Sequence, residues 1–278
     1  MTASYEDRLL RVLRYIHDNP AGDLSLDRLA DEAAMSRFHW HRVFRAMTGE
    51  TCAQAVRRIR LHRAASDLVK SDHTIERIAE TCGYPNIKSF ARAFAEVYGQ
   101  TPAAFRAAGI PPKPRSTKKP KDHLMYNVET VDQPARRMAA LPHTGPYEQI
   151  GRAFDQLAGL FSTRDLWPHS RGMIAVSCDD PDEVPAEELR GYAGLLVTDD
   201  ADITPPMLTM TLPAGRHAIL HHEGPYTTLK PAFDYLYGEW LPKSGEEPAD
   251  AWPFEFYHNS PMDTAPKDLR TDICVLLK

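Results

Sequence analysis

Glu255 stands in the run Trp252-Pro253-Phe254-Glu255-Phe256-Tyr257, one carboxylate among four aromatic rings. On a strand it shares a face with Tyr257, while Phe254 and Phe256 take the other. A carboxylate held in aromatic surroundings attracts lipophilic cations by charge and by cation–π contact. With a raised pKa it could instead act as a general base. A solvated glutamate on an exposed strand face is the plain alternative. A second group is basic. Arg37, His41, Arg42 and Arg45 project from one helical run, and Lys88, Ser89 and Arg92 from another. Arginine suits guanine bidentately and lysine suits phosphate, so either run could read DNA. Solvation of a helix surface is the alternative for any single run.

The elements that must carry the basic residues repeat. Leu29-Ala30-Asp31-Glu32 returns as Ile78-Ala79-Glu80, Trp40 as Phe90, Phe44 as Phe94, and Gly49-Glu50-Thr51 as Gly99-Gln100-Thr101. Each copy predicts a short helix, a tight turn and a second helix ending at glycine, which is a helix-turn-helix unit. Ser25, Ser36, Thr74 and Asn86 can cap the four helices. Ala34-Met35 and Cys82-Gly83 supply the turns, and Gly49 and Gly99 the left-handed helix ends. Val43, Phe44 and Met47 in the first copy, and Phe90, Phe94 and Val97 in the second, form the apolar stripes. Cys52–Lys70 reads as one long helix fixing the separation of the units. Two such second helices about 34 Å apart enter successive major grooves on one DNA face.

The elements that carry Glu255 repeat as well. His143-Thr144-Gly145-Pro146-Tyr147, Phe154-Asp155 and Leu157 return 79 residues later as His222-Glu223-Gly224-Pro225-Tyr226, Phe233-Asp234 and Leu236. Each copy reads strand, turn, helix, strand, strand. Two such units pair into one sheet with both helices on one face, a partly open second face and a groove at the seam. Counting back 80 residues from Glu255 gives Ala175, so the carboxylate belongs to one copy and the scaffold does not need it.

The formal net charge of −5 hides an asymmetry. Residues 1–121 carry 21 basic and 13 acidic side chains, a net +8, and the remainder carry 12 and 25, a net −13. The first half suits a polyanion and the second does not. Residues 108–122, AGIPPKPRSTKKPKD, hold four prolines and five basic residues, a stiff solvated linker. The chain thus predicts an all-α N-terminal domain with two helix-turn-helix units over 1–107, the linker over 108–122, and an α+β domain of duplicated strand-helix-strand-strand units over 123–278. No apolar run is long enough for a membrane span. The N-terminus lacks the apolar core of a signal peptide, so a cytoplasmic location is expected. The four cysteines form no CxxC pair, and adjacent His221 and His222 point to opposite faces of a strand. No metal and no cofactor is expected. Ser170 and Ser177 lack a nucleophile-elbow setting, so no hydrolytic triad is expected.

Residues 5–106 resemble the AraC/XylS-type DNA-binding domain. The resemblance rests on Ile78-Ala79, Gly83-Tyr84, Ser89-Phe90-Ala91-Arg92-Ala93-Phe94, Gly99-Gln100-Thr101-Pro102 and Phe105-Arg106. It implies base contacts at Phe38, His41, Arg42 and Arg45, and at Ile87, Lys88, Ser89 and Arg92, with Arg37 and Asn86 at the helix starts completing the set. Relatives often carry polar residues or tryptophan where Phe38 and Ile87 stand, so those two either pack or touch thymine methyls. Residues 124–278 are similar to the GyrI-like effector-binding domain of multidrug-sensing regulators. Here the two Gly-Pro-Tyr motifs carry the resemblance, with the tail Phe254-Glu255-x-Tyr257-x-Asn259-x-Pro261 and Leu269-x-Thr271-Asp272-Ile273. It implies that Glu255 meets a cationic effector, with Tyr147, Tyr192, Tyr226, Trp252 and Tyr257 as pocket aromatics. Sheet packing is an equal use for each tyrosine. The implied protein is a sequence-specific transcriptional regulator binding promoter DNA and a small apolar or cationic effector. Two rivals stay open: a sensor half that also hydrolyses a reactive toxin, and an acidic half that holds DNA gyrase or RNA polymerase.

Overall fold

Side-chain caps set the helix starts in the first half. The computed structural model describes residues 4–110, 112 and 125–278, and the chain divides into two units, Met1–Lys119 and Pro120–Lys278. Unit one holds α1 (Tyr5–Asp18), α2 (Leu26–Ala33), α3 (Arg37–Thr48), α4 (Cys52–Lys70), α5 (Ile75–Thr81), α6 (Ile87–Tyr98) and α7 (Pro102–Ala108). Ser25, Thr74 and Asn86 accept from the backbone N–H groups of Arg28, Arg77 and Ser89, satisfying donors that a helix start leaves bare. Ser36 departs from expectation. It stands at the start of α3, but its hydroxyl is buried and has no hydrogen-bond partner among the described residues. The linker expected over 108–122 falls almost wholly outside the described residues.

The long helix α4 is the spine of this unit. Its first turns bury Cys52, Ala55 and Val56 with Trp40, Phe44, Leu29 and Ile16. Its later turns bury Leu61, Ala64, Ala65 and Leu68 with Ile78, Phe90, Phe94 and Phe105. One rigid helix therefore serves both cores, and the two helix-turn-helix units cannot rotate independently without opening one of them. Polar ties reinforce it: Arg58 grips the Glu50 carboxylate, and Arg60 Nε donates to the Pro20 carbonyl at 2.6 Å.

The turns of the two units meet the same demand differently. The left-handed position is Ala34 (φ 52°) in the first and Gly83 (φ 76°) in the second. At Gly83 a Cβ would stand 2.5 Å from the Pro20 carbonyl oxygen and 2.7 Å from Arg60 Nη2. Left-handed strain and the clash together set the cost of Gly83→Ala at about 2–4 kcal/mol. Thermal unfolding of the variant checks this, and an unchanged Tm would contradict the packing described.

Unit two holds β1 (Asn127–Gln133), β2 (Arg136–Thr144), α8 (Gly151–Thr163), β3 (Ser170–Ser177), β4 (Arg190–Val197), β5 (Leu208–Leu212), β6 (Gly215–Glu223), α9 (Leu229–Tyr235), β7 (Phe254–Tyr257) and β8 (Arg270–Leu276). Helix α9 runs through a π-helical stretch, Leu236–Trp240, into α10 (Leu241–Ser244). The strands form one antiparallel sheet in the order β1-β6-β8-β7-β3-β4-β2-β5. That order is symmetric about the β7–β3 pair. The strand-helix-strand-strand copies are β2-α8-β3-β4 and β6-α9-β7-β8. Each has a leading strand that sequence reasoning did not assign to it, and the leading strands are exchanged: β1 pairs with β6 and β5 with β2.

Helix α8 covers one face, packing Leu157 and Phe161 on Ala139, Leu141, Leu195 and Val197. The expected partly open second face is corrected. Met138, Ile174, Val176, Leu196, Ile219, Phe254 and Cys274 make a second buried layer there. Its periphery carries an ionic link between three strands. His221 Nδ1 lies 2.7 Å from Asp272 Oδ1 and His221 Nε2 lies 3.1 Å from Glu129 Oε1, while His258 Nε2 is 2.8 Å from Asp272 Oδ2. Burial works against a charge on His221, but hydrogen bonds and charge from Asp272 and Glu129 outweigh it and hold the imidazole above its usual range. A pKa raised on folding contributes stability that is complete below the unfolded value, about 6.5, and is lost as pH rises through the folded value. The expected result is a wild-type Tm that falls from roughly pH 6 to pH 8 by more than that of His221→Gln. Parallel profiles would show that the link adds no stability.

Candidate functional sites

In unit one, α3 and α6 are the second helices of their units. Phe44 and Phe94 face inward, fully buried, which turns the opposite sides of the helices outward. Asn86, Ile87, Lys88 and Arg92 are exposed on α6 and Ser89 is half-exposed. Ser89 N donates to Asn86 Oδ1 at 2.8 Å and Ser89 Oγ to the Asn86 carbonyl at 2.9 Å, so these two residues close the helix start. Arg92 Nε lies 3.4 Å from Glu96 Oε1, and Glu96 also binds Arg57 of α4. The acid therefore holds Arg92 against its own helix and ties α6 to the spine.

On α3, Arg37 is exposed and reaches Asp27 at 3.3 Å. Phe38, Arg42 and Arg45 are half-buried. His41 corrects the sequence reading. It is 6% exposed rather than projecting, and its Nδ1 is 2.8 Å from the Arg37 carbonyl. His39 is fully buried too. The α6 surface is thus the more completely displayed of the two.

In unit two, Glu255 pairs in register with Ala175 across the β7–β3 seam. Ala175 is also its counterpart in the repeat, so Glu255 sits on the pseudo-twofold axis itself. A glutamate in both copies would place two carboxylates side by side; one copy carries alanine instead. Register puts Glu255, Ala175, Tyr257 and Met173 on the face that α8 covers. Tyr257 Oη donates to Glu255 Oε2 at 2.6 Å. The Tyr257 ring packs 5.2 Å from Tyr226 and 6.0 Å from Phe154 of α8. Burial, then the Glu255 charge, push the phenols of Tyr226 and Tyr257 up. Both tyrosines therefore stay neutral beside Glu255.

The remaining aromatic candidates separate. Tyr192 lies on the opposite face with Val176 and Phe254, and Trp252 packs on it at 6.2 Å. Their position follows from strand parity, which the sequence reading applied to Glu255 but not to Tyr192. The Tyr147 hydroxyl donates to the Arg190 carbonyl at 2.7 Å and accepts from Asp179 N at 3.0 Å, which makes it a staple between loops. Phe154 was visible in the repeat as the partner of Phe233, but only as a helix marker. Among the described residues no group of three or more His, Cys, Asp or Glu is arranged to hold a metal ion, and no helix is long and apolar enough to cross a membrane.

Two helix-turn-helix units on a shared spine, followed in the chain by a duplicated sheet with a carboxylate on its axis, define a class of protein: an AraC-type DNA-binding domain joined to a ligand-binding domain. Residues 126–278 match the GyrI-like small molecule binding domain and residues 29–108 a helix-turn-helix domain. The chain belongs to the GyrI-like family, with an AraC-type helix-turn-helix domain ahead of the ligand-binding one. It is 35% identical over 95 residues to the bifunctional transcriptional activator/DNA repair enzyme AdaA of Bacillus subtilis, covering 34% of this chain and 45% of AdaA. It is 29% identical over 135 residues to the DNA gyrase inhibitor of Yersinia enterocolitica, covering 46% and 84%. The match thus spans less than half of AdaA, and only 25% of the xylose operon regulatory protein of Escherichia coli. Among solved structures, the DNA-binding domain of AdpA in complex with a target DNA is 30% identical, with TM-score 0.35, over 36% of this chain and 91% of that one. The EcmrR C-terminal domain is 15% identical, with TM-score 0.46, over 56% and 99%.

Proposed function

We propose that this protein is a sequence-specific transcriptional regulator whose second half binds a small, apolar, cationic effector against Glu255. The observation that carries the effector class is the axial carboxylate, bonded to the neutral Tyr257 phenol, whose ring packs on those of Tyr226 and Phe154. Such a site favours a delocalised cation, which loses little hydration and gains both charge and ring contact. The DNA set is Arg37, Phe38, Arg42 and Arg45 on α3 and Asn86, Ile87, Lys88, Ser89 and Arg92 on α6. Promoter DNA is the partner of the first half, and RNA polymerase is the protein partner such a regulator would recruit. Its place of work would be the cytoplasm, on the nucleoid.

The test uses the full chain. Calorimetric titration with tetraphenylphosphonium should show saturable binding, and the affinity for a DNA site selected from a random pool should change when the cation is present. A ligand can shift DNA binding only by its differential affinity for two states of the protein. Binding without any change in DNA affinity would separate the effector from regulation. A second reading, that the GyrI-like half holds DNA gyrase, is favoured by the match to 84% of a protein named DNA gyrase inhibitor. Direct titration with purified gyrase addresses it.

A further inference from the structure

The two tyrosines of the repeated Gly-Pro-Tyr motif start from matched backbones and end in different places. Gly145 N donates to the Leu189 carbonyl at 2.8 Å and Gly224 N to the Leu269 carbonyl at 2.9 Å, so both motifs are pinned at the same rung. Tyr147 then lies along β4 with its hydroxyl on the Arg190 carbonyl. Its ring passes over Gly191, where a Cβ would stand 2.7 Å from the Val176 carbonyl oxygen and 3.1 Å from Tyr147 Cε1. The second copy keeps the acceptor: the Arg270 carbonyl receives His258 N at 3.0 Å, just as the Arg190 carbonyl receives Cys178 N at 3.0 Å. Yet Tyr226 does not take that seat. Its hydroxyl makes no hydrogen bond among the described residues, and its ring packs on Tyr257 instead. Two residues differ beneath the ring, and they are cross-strand partners: Ser177 pairs with Gly191 in the first copy, and Tyr257 with Thr271 in the second. The counterpart of Gly191 is Thr271, which is 0% exposed and whose hydroxyl has no partner among the described residues. Thr271 contributes volume there, not polarity.

We propose that Thr271 is the specificity-determining residue of the ligand site: its side chain bars Tyr226 from the seat Tyr147 occupies and delivers that ring to the Glu255–Tyr257 pair. The first copy's tyrosine becomes a staple and the second copy's a wall of the site, so one asymmetric site serves each chain. As a claim about ligand recognition, this rests on the effector reading above; the placement of the ring does not.

The test compares Thr271→Gly and Thr271→Val in the full chain. The first readout needs no ligand: ring-to-ring NMR contacts between labelled Tyr226 and Tyr257. They should persist in Thr271→Val, which keeps the volume and removes the hydroxyl. They should vanish in Thr271→Gly, replaced by contacts from Tyr226 to Arg270. The second readout is tetraphenylphosphonium affinity, expected to fall about tenfold in Thr271→Gly and to stay within about twofold in Thr271→Val. If the glycine variant does not fold, Thr271→Ala carries the same comparison with a partial loss of the contacts. Tyr226 remaining on Tyr257 in the smaller variants, or valine behaving as glycine does, overturns the proposal. Should wild type bind no cation while the ring moves as described, the effector reading fails and the steric role of Thr271 stands.

Discussion

Replacing Glu255 by glutamine is expected to lower the affinity for tetraphenylphosphonium by about ten- to a hundredfold, the factor that losing one charged interaction of about 1.5–3 kcal/mol implies. A neutral analogue such as triphenylphosphine oxide keeps its affinity, because the rings of Tyr226, Tyr257 and Phe154 remain. The contrast between the two probes is the informative quantity: equal losses would mean that the substitution damaged the site's shape. Folding is expected to survive. Glutamine can still accept from Tyr257 Oη, and removing a charge from aromatic surroundings relieves a desolvation cost. A neutral probe that loses as much as the cation, with an unchanged Tm, would reject the charge argument.

Arg92→Ala is expected to cost about 1–3 kcal/mol on a selected DNA site and to relax preference at one base position. The reasoning is positional. Arg92 is 85% exposed at the side chain, on the outer face of a helix whose inner face is fixed by Phe90 and Phe94. Among the described residues its ion-pair partner is Glu96, an exposed pair of the kind worth about 1 kcal/mol or less, so DNA would take it over at small cost. Fluorescence anisotropy on the selected site and on random duplex distinguishes the roles. Equal losses on both would make Arg92 a phosphate contact, with the salt dependence reduced accordingly.

Much of this was legible in the residues. Both repeats were visible as sequence, and the spine helix Cys52–Lys70 was placed correctly because nothing inside it breaks a helix. The capping residues were legible because the donors they satisfy are local. Ser36 failed for the complementary reason: its hydroxyl is buried by tertiary packing that a four-residue window does not contain. His41 failed likewise: it is buried, 6% exposed, at a position that helical periodicity alone places outward. The edge strand β1 was missed because Asn127–Gln133 carries one valine on each face, Val128 and Val131, among polar residues, and an edge strand needs little apolar alternation. The aromatic set was over-gathered. Tyr192 and Trp252 are near Glu255 in composition but lie across the sheet from it, and only register, not residue type, separates the faces.

The place of Glu255 on the symmetry axis has a consequence for dose–response. Gene duplication gave a scaffold with two equivalent halves, which could have offered two seats and a steep, threshold-like response within one chain. If an effector binds Glu255 as proposed, a single charge on the axis would admit one guest, and occupancy per chain would rise as a simple hyperbola across about two decades of concentration. Steepness beyond that would have to come from several chains sharing one promoter. Under that reading the fold would act as a rheostat, and any switch would be written in the DNA.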